Sequence, residues 1–120
     1  METSKSFKDL LVWKKAHQFV IAVYKLTSIF PKNETYGLSS QFRRAAVSIA
    51  ANIAEGFCKR GAADKVRYYN ISQGPISECQ YYLILTRDLD YCDTTEAEEL
   101  QTEISKLLDS YSRSLINSKL

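Results

Sequence analysis

Histidine is the commonest general base, and the chain contains only one, His17. A catalytic set needs a nucleophile, a base and a third group that orients the base. His17 stands instead among Lys14, Lys15 and Gln18 on a predicted helix. The sequence therefore predicts a surface or interface position for His17, and no catalytic residues.

Metal and phosphate chemistry also require particular spacings. Di-iron helical bundles use Glu-x-x-His pairs on facing helices, and the sequence contains no such pair. Gly56 and Gly61 do not have the spacing of a Rossmann or P-loop glycine motif. We therefore expect no metal, no cofactor, no small-molecule substrate and no enzymatic activity.

Charge is distributed unevenly, although the formal net charge is only +2. Between positions 43 and 67 only Glu55 and Asp64 oppose six basic residues, which are Arg43, Arg44, Lys59, Arg60, Lys65 and Arg67. The stretch from 88 to 103 has no Lys or Arg but seven carboxylates, namely Asp88, Asp90, Asp93, Glu96, Glu98, Glu99 and Glu103.

Such patches have two physical uses besides solubility. The basic patch can attract the phosphates of RNA or DNA, or it can dock on the acidic patch of a neighbouring subunit. Charge runs of this kind also simply keep small bundles soluble. Nearby tyrosines favour recognition, because guanidinium groups bind phosphate and aromatic rings stack on bases.

The elements that carry these residues are predicted to be helices. The 120 residues suffice for one domain, and only 4 Gly and 2 Pro interrupt them. The 3 Cys have no Cys-x-x-Cys pair and are expected to be reduced packing residues. No apolar stretch is long enough for a membrane span, and the polar first residues favour a cytoplasmic protein without membrane contact.

Hydrophobic periodicity predicts four helices. The first runs from near Ser6, with Asp9 completing a loose capping box, to Phe30 before Pro31. The second spans about Leu38 to Phe57, and its middle, from Ala45 to Ala54, is small or apolar nearly all round, which predicts that it is the buried helix. The third runs from about Ala62 to Tyr91 with a kink at Gly74-Pro75, and the fourth opens at Asp93 or Thr94. Short turns between them predict an all-α, up-and-down antiparallel four-helix bundle in a single domain covering residues 1–120.

Within these helices, apolar residues recur at intervals of three and four. The first helix has this stripe at Val12, Ala16, Phe19, Val23, Leu26 and Phe30, widened by Leu11, Val20 and Tyr24. The fourth has it at Ala97, Leu100, Ile104, Leu107, Tyr111 and Leu115. Both stripes are expected to face the core.

The run QFRRAAVSIAANIAEGF, from Gln41 to Phe57, closely resembles the signature of the bacterial four-helix bundle proteins encoded in intervening sequences of 23S rRNA genes. Further motifs match in order, namely Phe7–Leu10, Val12–Ala16, Val23–Thr27, Phe30-Pro31, Tyr36–Leu38, Ser77-Glu78 and Arg87–Leu89. The family usually has proline at Ala50 and serine at Pro75 and Gly61, so the kink is expected in the third helix rather than the second.

The resemblance implies an architecture more firmly than an activity. This family is similar in fold to the accessory variability determinant of diversity-generating retroelements, a homopentamer that binds nucleic acid and a reverse transcriptase. The resemblance thus implies a ring of five copies. Together with the charge pattern, it leads us to expect a homo-oligomeric adaptor whose six basic residues contact RNA or DNA. The alternative is a protein-binding scaffold that binds no nucleic acid. For the signature arginines, we expect one to pair inside the bundle, with Asn52 and Glu55 as candidate partners, and the other to be free. The alternative is that both arginines reach phosphate.

Overall fold

The computed structural model of the protein describes residues 5–118, and these contain helices and turns but no strand. The helices are α1 (Leu11–Thr27), α2 (Leu38–Phe57), α3 (Ala62–Ile71), α4 (Gln73–Asp88) and α5 (Thr95–Asn117). Short 3-10 turns at Phe7–Asp9 and Lys32–Glu34 precede α1 and α2.

The helices form one bundle that measures 50 × 23 × 22 Å. Helix α1 packs between α2 and α5, while α3 and α4 follow one another as a third rod that packs on both α2 and α5. The pairs α1 with α3/α4, and α2 with α5, lie diagonally opposite. This arrangement confirms the predicted all-α, up-and-down four-helix bundle.

The start of the first helix differs from the prediction. Ser6 and Asp9 do form a capping box, in which the Ser6 hydroxyl accepts from the Lys8 N–H at 3.2 Å. The box closes only a 3-10 turn, because Leu10 is extended and separates that turn from α1. Helix α1 then ends at Thr27, three residues before Phe30.

The third rod is interrupted as predicted, but one turn earlier than the proline. Pro75 has no N–H to donate to the Ile71 carbonyl, and its ring crowds that oxygen. The helix accordingly breaks at Ser72, which is fully buried and donates weakly to the Tyr68 carbonyl. The interruption therefore lies between α3 and α4.

The core follows the predicted stripes in most positions. Its largest fully buried apolar side chains are Phe19, Phe42, Ile49, Ile53, Leu83, Ile104, Leu108, Val12 and Val23. On α5, Ile104 is fully buried as predicted, but the next fully buried residue is Leu108, and the predicted Leu107 is only half-buried. Each such side chain contributes about 1.5–3 kcal/mol through its removal from water.

Two predictions of burial are wrong. Helix α2 is not buried all round, since Val47 is 42% exposed and Ala51 is also exposed. Leu11 and Tyr24 do not extend the buried stripe of α1, as both are exposed. A helix in a bundle of four has two neighbours, so its outer face is left open even where its sequence is apolar.

Candidate functional site

Arg43 joins α2 to α1. Its Nε donates to the Thr27 hydroxyl at 2.7 Å, and its guanidinium lies 4.6 Å from the centre of the Tyr24 ring. An Nη2 hydrogen bond to the Tyr24 carbonyl, at 3.4 Å, adds a third contact. Arg43 is therefore held in place by the fold before any ligand arrives.

Arg44, the next residue, is exposed and has no carboxylate within 4 Å among the described residues. Successive residues of a helix point about 100° apart, which explains why only one of the two arginines reaches α1. One arginine is thus paired and one free, as expected, but the expected partners are wrong. Asn52 bonds to Ser48 on its own helix, and Glu55 is exposed.

The other four predicted basic residues lie at the corner where α2 ends and α3 begins. Lys59 and Arg67 approach the same aromatic ring, that of Tyr68, each at 4.9 Å from its centre. Arg60 is exposed beside them. We call Lys59, Arg60, Arg67 and the Tyr68 ring the basic corner.

Lys65 serves the fold rather than this surface. Its ammonium donates to the Phe57 carbonyl at the end of α2 and lies 5.0 Å from the centre of the Phe57 ring. A cation is favourable at a helix C-terminus, where carbonyl groups have no helical partner. Arg67 is partly neutralised by Asp64, 3.6 Å away, but both groups are exposed and their attraction is weak.

Five of the six predicted residues therefore form two groups rather than one patch, and Lys65 belongs to neither group. Arg43 and Arg44 lie near the start of α2, and the basic corner lies about 20 Å further along, from the helical rise of 1.5 Å per residue. An exposed stripe of α2 connects the two groups and consists of Arg44, Val47, Ala51, Glu55 and Cys58. We call these residues the α2 stripe.

The carboxylates gather toward the opposite end of the bundle from the basic corner, where α4 ends and α5 begins. Asp93 accepts hydrogen bonds from the Thr95 N–H at 3.0 Å and the Thr95 hydroxyl at 2.7 Å, which lower its pKa. The Thr94 hydroxyl and the Arg87 guanidinium lower the pKa of Glu98 in the same way. These groups stabilise the start of α5.

His17 lies on an open groove of about 440 Å³ between α1 and α5. Its ring stacks on that of Trp13, with ring centres 5.1 Å apart, and its side chain is exposed. The facing wall carries Glu96, Glu99 and Glu103, of which Glu103 pairs with Lys15 at 3.0 Å. The groove contains no cysteine, serine or threonine nucleophile beside the histidine.

The cysteines are free thiols in three different environments. Burial raises the pKa of Cys79 to about 12, and burial also raises that of half-buried Cys92. Both thiols therefore stay protonated and pack as expected. Cys58 is exposed on the α2 stripe, so the prediction of a packing role is wrong for this residue.

Within residues 5–118, no three His, Cys, Asp or Glu side chains are grouped so that they could hold a metal ion. None of the described helices is both long and apolar enough to cross a membrane.

The sequence did not single out the residues that surround the two groups. Thr27 and Tyr24 hold Arg43, and Tyr36, with 96% of its side chain exposed, lies beside the same arginines. The sequence had placed them in the family motifs Val23–Thr27 and Tyr36–Leu38, but the signal for a shared role was only spacing, since Tyr24 and Thr27 are three residues apart and therefore share a helix face.

Comparison with known proteins places this architecture in a family. The sequence model described as "23S rRNA-intervening sequence protein" matches residues 8–112. The chain is similar to a solved protein of unknown function from the S23 ribosomal protein family of Bacteroides thetaiotaomicron, at 28% identity and a TM-score of 0.75, over 86% of this chain and 96% of that one. No curated protein matches the chain significantly. Because the matched residues span most of the bundle, the chain belongs to the 23S rRNA-intervening sequence protein family.

Proposed function

We propose that the protein is a non-enzymatic, homo-oligomeric helical-bundle adaptor that binds RNA or DNA. The binding surface runs from the basic corner along the α2 stripe to Arg44. The observation that carries this proposal is the basic corner, where Lys59 and Arg60 have no carboxylate within 4 Å among the described residues and Lys59 and Arg67 both lie near one aromatic ring. Free thiols suit the reducing cytoplasm, where we expect the protein to act.

Electrostatics favours a polyanion as the ligand of this surface. Among the described residues, Lys59 and Arg60 have no carboxylate within 4 Å, whereas the carboxylates at the start of α5 gather at the opposite end of the bundle. Arg44 lies nearer that acidic end, on a different helix, and it too has no described carboxylate within 4 Å. At the basic corner this separation gives a positive surface despite the small net charge. The short side chains of Val47 and Ala51 let a nucleic-acid backbone lie close to α2 between the two basic groups.

A homo-oligomer is supported by the outer face of α4. This helix turns Ile76, Cys79 and Leu83 into the core, yet its outer face carries Tyr81 and Ile84, which are 57% and 48% exposed. Tyr81 and Ile84 are three residues apart and thus adjacent, and an apolar outer face favours burial against another molecule. The fold resemblance named above makes a ring of five copies the expected assembly.

Binding is tested with a labelled structured RNA, and with DNA of the same sequence, over a series of salt concentrations. We expect affinity to fall steeply with salt, because each neutralised phosphate contributes roughly 0.7–0.9 to the slope of log K against log salt. Arg44→Ala, Lys59→Ala and Arg60→Ala should each weaken binding and reduce that slope. Lys106→Ala is the matched control, since Lys106 is exposed on α5, diagonally opposite α2.

Two results would contradict nucleic-acid binding. One is the absence of salt-dependent binding at low ionic strength. The other is a loss of affinity in Lys106→Ala as large as the losses in Arg44→Ala, Lys59→Ala and Arg60→Ala. The second result would mean that only net charge matters.

The alternative, a scaffold that binds only protein, is favoured by the groove between α1 and α5. Exposed Ile21 lies there opposite Glu96, Glu99 and Glu103, which is a combination of apolar and acidic groups suited to a basic helix. Absence of RNA and DNA binding by the wild type at low salt, together with loss of a protein partner on Glu99→Lys, would support this alternative.

Oligomerisation is tested separately by light scattering. We expect a mass near five times the 13.7 kDa of the chain, and monomers for Ile84→Glu. Ile116→Glu is the control, because Ile116 is 53% exposed on a different helix, α5. A wild-type monomer at micromolar concentration would refute the homo-oligomer.

A further inference from the structure

An open groove of about 470 Å³ lies beside the start of α2. Its lining residues are Tyr24, Thr35, Tyr36, Ser40, Arg43, Arg44 and Val47. They include two guanidinium groups, two aromatic rings and two aliphatic hydroxyl groups, but no carboxylate. We call it the Tyr36 groove, and its volume falls within the range of roughly 300–1,000 Å³ that small-ligand sites occupy.

Arg43 is prepared to bind an anion in this groove. A guanidinium has five N–H donors, and the contacts with Thr27 and the Tyr24 carbonyl use two of them. Stacking on Tyr24 further restricts the side chain, so little conformational entropy remains to be lost on binding. The other donors, together with those of exposed Arg44, suit the several oxygens of a phosphate.

Tyr36 supplies an aromatic platform at the same place. The Tyr36 side chain is 96% exposed, so almost none of its ring is covered by its own chain. The Tyr24 ring, by contrast, is already occupied by Arg43. A free ring next to two arginines is the pairing with which proteins hold a base and its phosphate in single-stranded nucleic acid.

We propose that the Tyr36 groove holds one nucleotide of a single-stranded segment, with its phosphate at Arg43 and Arg44 and its base stacked on Tyr36. The proposal deepens the proposed function and rests on it. A phosphorylated tyrosine of a protein has similar chemistry, but a nucleic-acid strand can continue along the α2 stripe to the basic corner about 20 Å away. A single phosphorylated side chain leaves that second basic group unused.

The test uses a short single-stranded oligonucleotide that carries one fluorescent aminopurine base, and a duplex of the same sequence. Stacking on Tyr36 should change the aminopurine fluorescence, and Tyr36→Leu should abolish this change. The same variant should weaken single-strand binding by about fivefold to a hundredfold, the usual contribution of one stacked base. Tyr36→Phe keeps the ring and should bind as the wild type does, and duplex binding should be the same in all three proteins.

Four results would overturn the proposal. The first is a fluorescence change and affinity in Tyr36→Leu that equal those of the wild type, and the second is loss of the fluorescence change in Tyr36→Phe. The third is weakening of duplex binding in Tyr36→Leu by the same factor as single-strand binding. The fourth is tighter binding of a phosphotyrosine peptide than of the oligonucleotide, if binding of the peptide also depends on Tyr36 and Arg44. The failure of the proposed function looks different, because neither the oligonucleotide nor the duplex would then bind at low salt. Binding that needs Lys59 and Arg60 but not Tyr36 would leave the proposed function standing without this nucleotide site.

Discussion

Gly56 lies in the last turn of α2, where a side chain would collide with α3. A Cβ atom added at this position would lie 2.9 Å from the Cβ of Tyr68 and 3.0 Å from the Cε1 of Tyr69. Ordinary carbon contacts are about 3.5–4.0 Å, so the two helices would have to separate by several tenths of an ångström. Because one contact is to a Cβ, which moves only with its backbone, α3 itself must shift.

The magnitude of the effect of Gly56→Ala follows from two opposing contributions. Alanine is favoured over glycine in a helix by about 0.5–1 kcal/mol, and somewhat less in the last turn. Overpacking of a closely packed site costs typically about 1–3 kcal/mol. We therefore expect a net destabilisation of roughly 0.5–2.5 kcal/mol, or a fall in Tm of about 2–10 °C for a domain of this size.

The assay is urea unfolding followed by circular dichroism, with thermal unfolding as a second measurement. Gly61→Ala is the control, because a Cβ at Gly61 meets no atom within 4 Å. There the weaker N-cap of alanine and the lower entropy of the unfolded chain oppose each other, and we expect about no change. A Gly56→Ala protein as stable as the wild type would refute the argument that close approach of α2 and α3 requires this glycine.

Three further predictions concern single residues. Arg43→Lys should destabilise the bundle by about 1–2 kcal/mol in urea unfolding, because buried Thr27 loses its donor, whereas Arg44→Lys should change stability little. Asp90 follows the end of α4 with a positive φ of 58°, a conformation that glycine adopts more easily. Asp90→Gly should therefore raise the free energy of unfolding by about 0.5–1 kcal/mol, measured as a higher urea midpoint. Glu98 has a lowered pKa in the folded state, so the stability it contributes is present above its ordinary pKa of about 4.3 and is lost as the pH falls. In Glu98→Gln, the free energy of unfolding should therefore decrease less than in the wild type when it is measured from neutral pH downward.

The bounds of the helices were predictable where the determining interactions are local. Helix α2 begins at Leu38 and ends at Phe57, as the sequence predicted, because its apolar periodicity stops at both places. The cause of the interruption in the third rod was also local, since Pro75 acts on the carbonyl four residues before it. Leu10 was not predictable in this way, because nothing in its type requires the extended backbone that separates the first turn from α1.

Burial was harder to predict, because it depends on how many neighbours a helix has. Apolar and small residues occur on nearly every face of α2, but α1 and α3/α4 cover only its inner faces, and its outer stripe stays exposed. Periodicity identifies which residues of one helix share a face, and it does not say whether a partner covers that face. Val47 and Ala51 therefore required the structure.

The candidate site shows most clearly what a charge pattern alone leaves open. Six cations close in sequence suggested one patch, but their availability depends on distant residues: Thr27 holds Arg43, and the Phe57 carbonyl holds Lys65. A cation that already serves the fold contributes less to binding, since its donors are partly used and its removal also destabilises the bundle. Mutation of all six residues at once would thus confuse unfolding with lost binding, and this is why Arg44, Lys59 and Arg60 are the residues whose replacement tests the surface itself.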